Sequence, residues 1–151
     1  MTSFIIDLNV PIGRGKEGYP DYFFDEMNSS NKHHVFYGGK KYMEEVRKKE
    51  ILQRLLKNWS DSKKATRVNS ADVDTFELKI HERITSICGS CPSECDDIHI
   101  IALAAISKCE NILTYDKRMS RCKDLVRHRV GHRYFPNLKF VKSEATFRKA
   151  V

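Results

Sequence analysis

The sequence predicts an α/β fold in which helices cover both faces of a parallel sheet. Three observations lead there. Short apolar runs alternate with stretches of helical periodicity, in the order βα, βα, α, αβ, αβ. The runs FIIDLNV and IHIIALAAI are nearly continuous in apolar residues, as expected of segments buried on more than one side. The length of 151 residues suits one domain around one core.

Taken in order, Ser3–Leu8 reads as a buried strand followed by the glycine-rich loop GRGKEG. Pro20–Asn28 reads as a short helix with Phe23, Phe24 and Met27 inward. HHVFYGG is a second strand stopped by two glycines. A long helix is expected from about Lys40 to Asn58, a stretch rich in strong helix formers. The polar stretch SDSKKATRVNS reads as a loop. Ala71–Cys88 reads as a helix with Phe76, Ile80, Ile84 and Ile87 at helical spacing, capped by Ser70 or Asp72. CGSCPSEC is a loop. In the following helix Ile98, Ile101, Ala102, Ala105 and Ile106 form one stripe while Ile100 and Leu103 fall elsewhere, so the helix is buried on most sides. Asn111–Tyr115 is a strand, Lys117–His128 a helix and Leu138–Val141 a late strand.

Composition narrows the function classes. The chain is 40% hydrophobic and 31% charged, with a formal charge of +7, and its apolar runs exclude a wholly disordered chain. The basic balance suits a polyanion such as RNA or DNA, and equally a solvated basic face. No run reaches the ~18–20 apolar residues of a membrane span. No signal peptide opens the chain, so a cytoplasmic protein with reduced thiols is expected. GRGKEG lacks the full phosphate-loop pattern, and no nucleophile elbow is present. Cys88, Cys91 and Cys95, joined by Cys109, form either a small metal site or a thiol-rich loop. His128, His132 and Cys122 fall in a basic, solvated or RNA-facing segment.

The carboxylates are the informative feature. Asp7 ends the first apolar run and Asp116 ends NILTY, so both fall at the carboxyl edge of the sheet, where sites form in parallel α/β folds. Asp96 and Asp97 open the buried helix at the same edge, and Glu44 and Glu45 lie on the helix after the second strand. Each has an alternative role: Asp96, Asp97 and Asp116 as helix caps or turn residues, Glu44 and Glu45 as exposed helix charges. Asp7 is the hardest to explain structurally, because Asp is depleted in strands. Together, crowded carboxylates repel one another, and a hard divalent cation such as Mg²⁺ or Mn²⁺ relieves that repulsion.

With these residues in place, the chain resembles the PIN-domain nucleases. The matching segments are FIIDLNV, GGKKYMEEV, DIHIIALA and TYD, in the family's order over residues 4–118. The resemblance implies a three-layer α/β/α PIN-like fold with a central parallel sheet of four to five strands. It implies a single domain over residues 1–151, with a basic C-terminal segment from about 117. It implies Asp7, Glu45, Asp97 and Asp116 as both catalytic and metal-binding residues, with Mg²⁺ or Mn²⁺ as cofactor. Glu45 is preferred to Glu44 and Asp97 to Asp96 by register, with Asp96 as an auxiliary acid. His99 reads as a packing or hydrogen-bonding residue and Thr114 as a hydroxyl that supports the site. The implied activity is metal-dependent hydrolysis of single-stranded RNA, as a toxin paired with an antitoxin protein or in phage defence, with a homodimer as the common assembly and no membrane partner. The competing readings are an inactive PIN-like module that binds RNA or protein, and a DNA-directed nuclease of the same fold.

Overall fold

The computed structural model describes residues 1–90, 92–131 and 137–151. It contains the expected parallel sheet. Five strands are ordered β3-β2-β1-β4-β5, all neighbours parallel: β1 (Thr2–Ile6), β2 (His33–Gly38), β3 (Ala65–Val68), β4 (Asn111–Leu113) and β5 (Lys139–Val141). The helices are α1 (Asp21–Ser29), α2 (Lys40–Val46), α3 (Glu50–Asp61), α4 (Ser70–Cys88), α5 (Ile98–Ser107), α6 (Lys117–Val130) and α7 (Glu144–Ala150), with a 3-10 turn at Ser93–Cys95.

Burial explains the strands. Phe4, Ile5, Ile6, Ile112 and Leu113 are fully buried in β1 and β4, so residues pointing either way must be apolar. On one face Phe4, Phe23 of α1 and Phe147 of α7 form a ring cluster, and Phe24 stacks on Trp59 of α3. These contacts put α1, α3 and α7 in one layer. On the other side α4 packs against α5 and α6. Ile98 through Ala104 of α5 are buried without interruption, as expected of a helix apolar on most sides. The result is a three-layer α/β/α arrangement. Among the described residues, no helix is long and apolar enough to cross a membrane.

Four local expectations are corrected. The single helix expected over 40–58 is two helices broken at Arg47–Lys49. Helix propensity favours continuity through the Lys-rich run, but tertiary contacts override it. Tyr42 of α2 donates to the Ile6 carbonyl at 2.6 Å, α3 buries Leu52, Leu56 and Trp59, and the Lys49 ammonium reaches the Leu8 carbonyl from the break between them. The polar stretch read as a loop contains β3, an edge strand in which Ala65 alone is buried, so no apolar run marks it. The cap of α4 is Asn69, whose Oδ1 accepts from the Asp72 amide at 3.3 Å, rather than Ser70 or Asp72. The thiols are not all reduced: a disulfide joins Cys95 to Cys122, with their Cα atoms 5.0 Å apart. Cys91 and His132 lie outside the described residues. With Cys95 taken by Cys122 and Cys109 at the far end of α5, its Sγ against the Asn111 carbonyl, these two cysteines do not form a common cluster.

The Gly38–Gly39 pair carries the chain from β2 into α2 at the sheet's carboxyl edge. Gly38 sits opposite Val68 in the β2–β3 register at φ +138°, and a Cβ there would meet the Val68 carbonyl oxygen at 2.5 Å. That oxygen belongs to backbone, so relief requires the strands to part. Gly38→Ala is expected to destabilise the fold by about 2 kcal/mol or more, read as a lowered urea midpoint in equilibrium unfolding.

Candidate metal centre

The strand order places a crevice between β1 and β4. From β1 the chain proceeds outward to β2 and β3, then returns to β4 and β5 on the other side, so the sheet's switch point lies between these two strands. Parallel sheets bind ligands outside the carboxyl ends of strands at such a point. Ile6 pairs with Leu113 at the end of both strands, so Asp7 and Thr114 are the next residues out on the two sides of the crevice.

Asp7 is held there rigidly. Its backbone N–H donates to the Leu113 carbonyl at 2.8 Å. The Thr114 hydroxyl donates to Asp7 Oδ2 at 2.6 Å, while the Asp116 amide donates to Thr114 Oγ1 at 3.0 Å. Thr114 thus ties the two strand ends together. Asp7 is 4% exposed, and burial pushes its carboxyl up to about 6 against the stabilising Thr114 and Asn9 contacts; the charges of Asp97 and Asp116 push the same way as burial.

Asp97 is at the N-cap position of α5, yet its side chain makes no capping hydrogen bond. Its carboxyl is also pushed up to about 6, by burial first and then by Asp96, Glu45 and Asp116. Asp116 does cap its helix: its side chain accepts from the Arg118 amide at 2.9 Å. Burial raises its pKa, but its hydrogen bonds to Arg118 outweigh that and hold it below the ordinary range. Carboxylate oxygens of Asp96, Asp97 and Asp116 lie within 4.8 Å of one another.

Glu45 approaches from α2. Its neighbour Glu44 is exposed, whereas Glu45 Oε1 lies 3.7 Å from His99 Nε2 and its charge reaches Asp97. His99 is 3% exposed, neither ring nitrogen has a hydrogen-bond partner among the described residues, and burial lowers its pKa, which favours the neutral ring. Of the four acids singled out in the sequence, Asp97 and Asp116 therefore share the tight group. Asp7 stands behind them within electrostatic reach, and Glu45 lies on the side of Asp97.

One acid is more central than the sequence reading made it, and one participant escaped that reading. Asp96, expected as an auxiliary acid, is a full member of the tight group. Arg118 joins it: Nη1 donates to Asp96 at 2.9 Å, and Nη2 and Nε donate to Asp116 at 3.1 and 3.2 Å. The signal available for it was the DKR run that begins at the fourth acid. The Cys95–Cys122 disulfide braces the group by joining the residue before Asp96 to α6. Beside the acids a cavity of about 490 Å³ opens, lined by Lys41, Glu77, Leu78, His81, Asp96 and Ile98.

The donor set fits a hard divalent cation. It consists of carboxylate oxygens from separate segments, two of them with pKa values raised by burial and then by their acidic neighbours, beside a buried imidazole that has no hydrogen bond among the described residues. Comparison with protein-family models, curated proteins and solved structures gives no significant match to this chain.

Proposed function

We propose that this protein is a metal-dependent nuclease that hydrolyses phosphodiester bonds, with single-stranded RNA as substrate. The observation that carries the reading is the convergence of Asp7, Asp97 and Asp116, with Asp96 and Glu45 adjoining, at the switch point of the sheet. A structural role accounts for Asp116, which caps α6, but not for Asp97 or Asp7. Asp97 caps nothing, and Asp7 is buried at a cost to the fold.

Asp97 and Asp116 would hold Mg²⁺ or Mn²⁺, with Asp7 behind them and Glu45 at the side. Lewis-acid polarisation of a phosphodiester and acidification of a water nucleophile are the chemistry such an ion supplies when bound. The chain's own residues do the remaining work. Thr114 fixes the Asp7 carboxylate, so the site is oriented before substrate arrives. The basic face of α6 begins at the acids, with Lys117 and Arg121 exposed, and is placed to attract a polyanionic strand. The overall charge of +7 acts in the same direction.

The test is incubation of purified protein with single-stranded RNA and with single-stranded DNA, in Mg²⁺, in Mn²⁺ and in EDTA. RNA cleavage that requires the cation and is lost in EDTA is the expected result. Cation-dependent cleavage of DNA alone would reassign the substrate. Tight RNA binding without cleavage under any condition would replace the enzyme with a binding module.

A further inference from the structure

The acid group already carries a cation of its own. Arg118, in the first turn of α6, spreads its guanidinium over two carboxylates from different segments, Asp96 from the loop before α5 and Asp116 from the end of β4. Both Asp116 oxygens are engaged, Oδ1 by Nε and Oδ2 by Nη2. Those oxygens are also the ones a divalent ion would need. A guanidinium fork matches carboxylates well because its planar donors meet the lone pairs directly. The same fork cannot keep its place once a second cation takes them.

The side chain is free to leave. Arg118 is about half exposed, and its side-chain bonds among the described residues all go to these acids. Its backbone amide remains on Asp116 Oδ1, so α6 can stay capped while the guanidinium swings into solvent. His99 is a separate sign that the site takes a ligand: a buried ring, 3.7 Å from Glu45, with neither nitrogen hydrogen-bonded among the described residues.

We propose that Arg118 is the counter-ion that a divalent cation displaces, so that this one side chain sets how tightly the acids take their metal. The proposal rests on the metal-site reading above. It gives the Arg118 side chain a positioning role: it holds the acids together without metal and yields them to the ion.

The test is a titration of the EDTA-stripped full-length protein with Mn²⁺ alone, followed by calorimetry or by the free-Mn²⁺ spin-resonance signal, with no nucleic acid present. Arg118→Gln is expected to bind Mn²⁺ roughly three- to tenfold more tightly than the parent at low ionic strength, a gain that shrinks as salt screens the pair. Arg118→Lys, which keeps the charge but not the fork, is expected to fall between and covers the case in which the Gln variant folds poorly. Lys117→Gln removes the neighbouring charge, which makes no ion pair among the described residues, and is expected to change affinity by less than about twofold. Equal affinity of the parent and both Arg118 variants would overturn the proposal and leave the metal site standing, as would equal gains from the Arg118→Gln and Lys117→Gln variants. Absence of Mn²⁺ binding in every form would overturn the metal-site reading and this proposal with it.

Discussion

Asp97→Asn is expected to lower metal-dependent RNA cleavage by on the order of a hundredfold or more, the scale on which loss of one preorganised electrostatic partner acts. Asp97 makes no capping bond to its own helix, so removing its charge should leave α5 intact. Its carboxyl is destabilised by burial and by Asp96, Glu45 and Asp116, so the neutral amide also relieves repulsion. Thermal unfolding in EDTA is therefore expected to show no loss of stability while cleavage of a labelled RNA disappears. Unimpaired cleavage by a well-folded Asp97→Asn variant would remove Asp97 from the site. The raised carboxyls also set the pH response. Below about pH 6 Asp7 and Asp97 hold protons that a cation must displace, so Mn²⁺ affinity is expected to rise between pH 5 and 7.

Asp7→Asn is expected to separate stability from function most sharply. In the folded protein the Asp7 carboxyl titrates near 6, against an ordinary value of 3.8. Over that interval the native state binds more protons than the unfolded chain, so stability is greatest below pH 3.8 with respect to this group and falls as pH rises through 6. By pH 7 the cost is about 3 kcal/mol. An asparagine carries no charge, and its amide oxygen can still accept from Thr114. The variant should therefore be more stable than the parent by about 1–3 kcal/mol at pH 7 without metal, with the gap closing near pH 4. Added Mn²⁺ should stabilise the parent and do little for the variant, and cleavage should be lost. Denaturant unfolding at the two pH values, with and without Mn²⁺, reads all of this. A variant less stable than the parent at pH 7 would show that the Asp7 charge is satisfied by the fold rather than held ready for a cation.

The sequence exposed those parts of the molecule where burial forces composition. β1, β4 and α5 are apolar on more than one side, so their residues had little freedom, and an Asp at the end of such a run stood out. The alternation of strands and helices carried the parallel sheet, and the sheet's carboxyl edge carried the placement of Asp7 and Asp116. What stayed hidden depends on contacts between distant segments. β3 is an edge strand with one buried residue, so its pattern resembles a loop. The break between α2 and α3 answers to Tyr42 reaching Ile6 and to the packing of Trp59, neither of which shows in local propensity. α7 is only seven residues long, too short for periodicity to mark, and its one local sign is the Ser143–Thr146 capping box. The Cys95–Cys122 bridge spans 27 residues of chain, and neither spacing nor composition singles out that pair. Arg118 belongs to the same class. Its charge reads as one of many in a basic helix until the fold lays it across Asp96 and Asp116.

The most direct test of the proposed shared metal site is anomalous diffraction from crystals of the protein soaked in Mn²⁺. The expected result is a peak in the crevice between β1 and β4, within about 2.5 Å of carboxylate oxygens from Asp97 and Asp116, and lost in the Asp97→Asn variant. Mn²⁺ peaks confined to other surfaces, with Asp7, Asp97 and Asp116 unliganded at saturating Mn²⁺, would contradict it.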